Sequence, residues 1–408
     1  MLFLLIKNEL IKILKRTKTW IVFGLFVLFI GVGMYGLYSR EKDMEKYNSP
    51  QYRLEQVTQE IKHTKESIKN FEESTNPEDK GDLVNLKESL KAYEEEQTKY
   101  QEQVKNGVNL DQWKIDLDEN IKSYEESLNN KNLSESNKAT ITEELNELKY
   151  LKENNIKPLH GYEFNAYNYM DTIIGILGAV LLVVGISIFM SDIVSGECTP
   201  PTLKFLLVQP ISRGKVLLSK FIAVTITVIT MIMSVECLAF LGMGLVKGFD
   251  AGNYPKTLGV RYLLDFSNAA NRGGNPDFIR VAGSGHFATF NDFVIKSLLL
   301  QILFMITCCA FIFLISTLFK SSTVSTTIAI IVAVAGTVAF QMFAFLKRFA
   351  HLVFLNYGQV NSVITGDIAY SYNNVNLTPV NAIIVMCVTT IISYIIAHVV
   401  FKKKDILI

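Results

Sequence analysis

Apolar residues along this chain gather into six runs, at 19–38, 170–191, 221–246, 294–319, 324–346 and 380–401. Each matches the roughly 20 residues that a helix needs to cross a bilayer. Polar residues gather just as strongly. Residues 39–169 contain no long apolar run and instead repeat apolar positions at spacings of three and four. Leu54, Val57, Ile61, Thr64, Ile68 and Phe71 form one such stripe, and Leu86, Leu90, Tyr93, Gln97, Tyr100 and Val104 a second. A third carries Leu110, Trp113, Leu117, Ile121, Tyr124 and Leu128, and a fourth Ile141, Leu145, Leu148 and Leu151. These are heptad-like seams of helices that pack on one another. Asn76-Pro77 breaks the first helix and Gly81 precedes the second, so the segment reads as helical hairpins. A helix of about 24 residues reaches roughly 36 Å. The expected fold class is therefore all-α: a polytopic membrane protein with six transmembrane helices and a large helical-hairpin, coiled-coil-like insertion between spans 1 and 2.

Composition supports this division. The chain has 408 residues, 49% of them hydrophobic, and a positive mean hydropathy of +0.25. The net charge of +1 conceals an asymmetry. Residues 39–169 hold 19 bases and 28 acids, a net of −9, and the remainder holds 21 and 11, a net of +10. Lysine and arginine collect on cytoplasmic flanks. The basic regions are residues 1–18, the connector 192–220 and the tail 402–408. With six spans all three fall on the cytoplasmic side, both termini included. Residues 39–169 and the loops 247–293 and 347–379 then lie outside. Lys347 and Arg348, at the outer end of the fifth span, run against the trend. The expected location is the cell (plasma) membrane, with residues 39–169 extracellular.

The N-terminal stretch 1–18 places Phe3, Ile6, Leu10, Ile13 and Leu14 on one helical stripe and Lys7, Lys12 and Lys15 elsewhere. It reads as an amphipathic helix lying in the headgroup layer, or as an extension of the first span. Its basic start leads into a span long enough to remain as an anchor, without the short apolar core of a cleaved leader. The cysteines, Cys198, Cys237, Cys308, Cys309 and Cys387, fit no zinc or redox spacing and read as small hydrophobes.

Catalytic chemistry is not expected. The phosphate-loop pattern GxxxxGK[ST] is missing from the sequence, as are HExxH, GxSxG and CxxC. The glycine-rich stretch 273–287 is read as an ordered outer loop. Two features remain. Glu236 lies within the third span, where a charge costs about 2.5–3.5 kcal/mol on insertion scales. It either lines a translocation path or subunit contact, or it is a neutral carboxyl bonded to Ser234 or to a neighbouring helix. Lys220, at the start of the same helix, can snorkel to the headgroups.

The second feature is the connector "SGECTPPTLKFLLVQPISRGKVLLSK", Ser195 to Lys220. Thr199, Pro200 and Pro201 suit a helix start, "TLKFLLV" makes about two turns, Pro210 stops them and Ser212 can cap the next helix. Leu203, Phe205, Leu206 and Leu207 would be exposed on a loop too small to bury them. Such a helix either lies on the membrane or plugs into a groove on a partner protein.

From Asp192 to Phe221 this region resembles the cytoplasmic loop of ABC-2 type transporter permeases. Ser195, Gly196 and Glu197 match that family's "SGE" turn, Thr202 and Leu203 the start of its coupling helix, and Pro210 to Arg213 its exit turn. Lys220 matches the lysine at the head of the third span. Thr199, where a second acid is common, and Pro201, where glycine is common, depart from the pattern. The resemblance implies a permease subunit of an ABC exporter that pairs with a second permease, as a homo- or heterodimer. It also implies a separate cytoplasmic ATP-binding subunit that binds ATP and Mg, so that this chain carries no cofactor. The coupling residues it implies are Glu197, Thr202, Leu203, Phe205, Leu206, Leu207, Pro210 and Arg213, on a helix at about 199–209. The alternative is a membrane-anchored structural or sensory protein whose outer helices bind an envelope partner. No nucleic-acid partner is expected on either reading.

Overall fold

A computed structural model of the chain describes residues 2–72, 79–107, 111–129, 133, 135–197, 212–266 and 277–403. The helices, in order, are α1 (Leu2–Leu14), α2 (Thr17–Asn48), α3 (Pro50–Glu72), α4 (Asp79–Asn106), α5 (Gln112–Leu128), α6 (Glu135–Glu153), α7 (Ala166–Ile176), α8 (Leu182–Met190), α9 (Arg213–Lys247), α10 (Phe290–Leu318), α11 (Ser322–Met342), α12 (Ala344–Lys347), α13 (Val360–Thr365), α14 (Ile368–Ser371) and α15 (Pro379–Lys403). Five of these, α2, α9, α10, α11 and α15, are long and apolar enough to cross a membrane. The apolar run at 170–191 is divided differently. α7 and α8 are joined by a π-helical turn, Leu177–Leu181, into one helical stretch from 166 to 190. The turn includes Gly178. Its Cα faces the backbone of Gly358, and a Cβ there would fall well inside contact distance of the Gly358 carbonyl oxygen.

The chain forms two compact units. The smaller comprises Tyr35–Ser123 and Leu148–Phe164. In it α3 and α4 run antiparallel, with Gln97 Nε2 donating to Thr58 Oγ1 at 2.9 Å and ion pairs Lys65–Glu94 and Lys87–Glu72, each at 2.8 Å. The seam read from the sequence is the packed one: Val57, Ile61, Thr64 and Ile68 are buried. Where the chain enters and leaves this unit, Phe164 N–H donates to Glu41 Oε1 at 2.8 Å and the Tyr38 and Phe164 rings meet edge to face.

The larger unit comprises Met1–Met34, Tyr124–Glu147 and Asn165–Ile408. Its centre is α10, apolar on all sides and therefore suited to a buried position. Phe290, Phe293, Phe304, Met305, Cys308, Cys309 and Phe313 are all buried on it, against α7, α8, α9, α11 and α15. Cys308 and Cys309 are free thiols packed as small hydrophobes.

Two segments expected to be loops are structured. The described residues of 247–293 contain four short strands, so the helical fold carries a β element that the apolar pattern did not reveal. β1 (Pro255–Leu258) pairs antiparallel with β4 (His286–Thr289), and β2 (Tyr262–Asp265) with β3 (Asp277–Arg280). Four-residue strands are too short to show a period. Residues 347–379 form a chain of short helices, with Phe354, Leu355, Tyr357, Val360, Val363 and Ile368 buried. Gly366 holds this segment against the ribbon, since its φ of +98° brings it onto the Val260 carbonyl.

Candidate functional site

The most concentrated chemistry lies where α1, the Ser195–Glu197 turn and the start of α9 meet. The turn is built from the end of α8. Gly196 N–H donates to Asp192 O at 2.8 Å, and Glu197 N–H to Val194 O at 3.2 Å. Two neighbouring helices lock it. Ser316 Oγ on α10 accepts from the backbone N–H of Val194 (3.1 Å) and Ser195 (3.2 Å). Ser325 Oγ on α11 donates to Ser191 O at 2.6 Å. Serine at these positions bonds backbone groups where the helix ends. The turn that opens the connector is thus fixed to the bundle by side chains.

Glu197 projects from this turn onto Lys220, one side chain that the sequence reading misplaced. Lys220 is 1% exposed, so its ammonium does not snorkel to a headgroup. It donates to Glu197 Oε1 at 2.8 Å and to both carboxylate oxygens of Glu9 at 3.0 Å. A buried ammonium needs such partners, because its three donors cannot be left dry. Lys12 on α1 closes the group with a second ion pair to Glu197 Oε1. One turn further on, Arg16 and Lys18 both pair with Asp192, at 2.5 and 3.1 Å. Three acids and four bases therefore join α1, the junction to α2, the turn and α9. Burial by itself pushes the Glu197 carboxyl up, but Lys220 and then Lys12 override it and hold it below its ordinary value.

Glu9 could not have been found from hydrophobic periodicity. Acidic in a basic helix, it reads as part of a solvated face. The one clue was its spacing: Glu9 and Ile13 lie on the same helix face, and both are buried against α9.

Of the residues expected to couple to a partner, Glu197 is in this cluster. Thr202, Leu203, Phe205, Leu206, Leu207 and Pro210 lie outside the described residues. Arg213 is the first residue of α9. Ser212 stands at the N-cap in an extended conformation, but its hydroxyl makes no capping bond. The tertiary structure therefore places both stems of the connector, Glu197 and Lys220, in direct contact.

Glu236 occupies a separate place in the middle of α9. It is fully buried and its Oε1 accepts from Gln301 Nε2 of α10 at 2.8 Å. Of the two bonding partners considered from sequence, the neighbouring helix is correct. Ser234 instead donates to the Met231 carbonyl at 3.1 Å.

A third polar group joins α6 to the β ribbons. Arg280 pairs with Glu143 at 2.6 Å, and Tyr254 OH donates to Glu147 Oε1 at 3.2 Å. Burial raises the Glu147 carboxyl above its ordinary value, more than Tyr254 and Lys256 lower it. Among the described residues no group of three or more His, Cys, Asp and Glu side chains could hold a metal ion.

Compared with known families, residues 3–406 match the ABC-2 family transporter protein. A search of curated proteins gives no match to the chain.

Proposed function

This chain belongs to the ABC-2 family of transporter membrane proteins, and from that premise we propose that it is the permease subunit of an exporter, driven by a separate ATP-binding subunit through a coupling helix at about 199–209. Family membership makes it a multi-pass transmembrane component that pairs with an ABC ATP-binding subunit. On the proposed reading the 166–190 stretch is a sixth span, both termini are cytoplasmic, and residues 39–169 are extracellular. ATP and Mg belong to the partner.

The observation that carries the coupling proposal is the ion cluster at the base of the connector. A push on a helix does mechanical work only if the helix stems cannot yield. Here one stem begins at Glu197 and the other ends at Lys220, and the two are bonded at 2.8 Å. Glu9 and Lys12 extend the bond to α1, and Ser316 extends it to α10. Movement of the connector would thus be delivered to α1, α9 and α10 together. Leu203, Phe205, Leu206 and Leu207 supply the apolar surface that docks into the ATP-binding subunit, and Arg213 lies at its exit.

The test is co-expression with an ATP-binding protein encoded beside this chain. Phe205→Asp places a charge on the docking face, and it should abolish co-purification and stimulation of ATP hydrolysis. If both survive, the coupling helix is not where we place it.

A further inference from the structure

An apolar groove runs along α2. Its volume is about 290 Å³, and its walls are Val22, Phe26 and Phe29 of α2, Gly185 and Phe189 of α8, and Met231 of α9, among other apolar side chains. It lies between two places where α2 is fastened, one to the end of α1 and one to α7. At one end, Thr19 Oγ1 donates to Ile13 O and Trp20 Nε1 to Leu14 O, both at 2.7 Å. At the other, Ile30 is buried and Gly33 lies against Ile173. The two fastenings are 14 residues apart, roughly 21 Å of helix.

Size selects the occupant. The groove spans Val22 to Phe29, roughly 10 Å of helix. The groove offers about 290 Å³. That is about twice the engineered cavity that accepts a benzene, the scale of one hydrocarbon chain. Water has no polar partners there and would be excluded.

Charge selects the headgroup. Lys18 is one helical turn before Val22 on the same face of α2, and Asp192 follows Phe189 by three residues on the opposite wall. Both walls therefore end at the same charged step. There Arg16 and Lys18 meet a single acid, Asp192, and Lys15 is exposed beside them. The step carries an excess of positive charge. Trp20, half-exposed at this level, is a residue type favoured at the membrane–water interface.

We propose that this groove binds one acyl chain of an anionic glycerophospholipid, with its phosphate at the Lys15–Lys18 step. The site rests on membrane embedding alone and needs no ATP-binding partner. A bound lipid would set the distance between α2 and α8, and so couple the membrane to the α1–α2 junction that Asp192 holds.

The experiment counts lipids retained by the full-length protein in native mass spectrometry after exposure to phosphatidylglycerol or phosphatidylcholine vesicles. One phosphatidylglycerol per chain is expected, retained about tenfold more strongly than phosphatidylcholine, a difference of about 1.4 kcal/mol. Gly185 has open space where its side chain would be, so Gly185→Phe fills the groove and should remove that lipid. Val22→Trp fills it from the loosely held wall and gives the same test if Gly185→Phe does not fold. Lys15→Gln with Lys18→Gln should abolish the preference and keep the chain bound. Undiminished lipid in a folded filled-groove variant overturns the proposal, as does equal retention of the two lipids by the unaltered protein. Disulfide formation between two copies carrying Phe26→Cys overturns it too, since a second copy would then occupy the groove.

Discussion

Replacing Lys220 with methionine removes the ammonium and leaves its stem in place. Two carboxylates then face each other without the charge that joined them. Among the described residues, Glu9 loses both of its bonds and Glu197 keeps only the pair with Lys12. The side chains of Glu9 and Glu197 are 12% and 10% exposed, so water cannot replace what is lost. Removing one partner of a buried pair typically costs about 3–5 kcal/mol, whereas replacing every partner by well-packed apolar side chains of similar volume is close to neutral. Lys220→Met should therefore cost about 3–5 kcal/mol, a large part of the roughly 5–15 kcal/mol that stabilises a native protein. Adding Glu9→Met and Glu197→Met should recover most of it. The assay is thermal unfolding of the purified protein, with the interaction energy taken from the single and combined variants. pH supplies an independent check. The folded Glu197 carboxyl titrates below its unfolded value of 4.5. Its contribution is therefore complete above that value and disappears as pH falls through the lower folded one. A cost for Lys220→Met within about 1 kcal/mol, the range of exposed pairs, would refute the reasoning. So would a triple variant no more stable than the single one.

Three further outcomes follow from the packing. Gly178→Ala drives a Cβ into the Gly358 backbone and should lower the yield of folded protein, whereas Gly24→Ala, with open space around it, should not; size-exclusion profiles compare the two. Glu236→Gln keeps an oxygen that accepts from Gln301 and should change stability by less than about 0.5 kcal/mol, while Glu236→Ala leaves that amide dry at a cost of about 1–3 kcal/mol; thermal unfolding separates them. Glu147 has a raised folded value, so its folded form loses stability as pH rises from the unfolded value of 4.5 through the folded one. Glu147→Gln should accordingly raise the melting temperature at neutral pH and leave it unchanged in acid.

The helix stripe in 54–71 was legible because period and burial coincide at its centre: Val57, Ile61, Thr64 and Ile68 are buried in α3, while Leu54 and Phe71 at its ends are half-buried. The strands at 255–289 were not legible, because four residues are too few to display an alternation. Residues 347–379 resemble a loop in sequence because their helices are shorter than a span. Burial makes them core, and burial depends on α10, α11 and α15 around them.

The sequence by itself determined the apolar runs, the acidic insertion, the basic flanks and the family to which the connector points. Each is a local property, carried by composition or by a spacing of a few residues. The tertiary structure alone decided what the charged residues do. Glu9 and Lys220 are 211 positions apart, and no periodicity links them. An acid in a basic helix and a lysine at the head of a span become one buried ion cluster only because α1 packs on α9 and removes both from water.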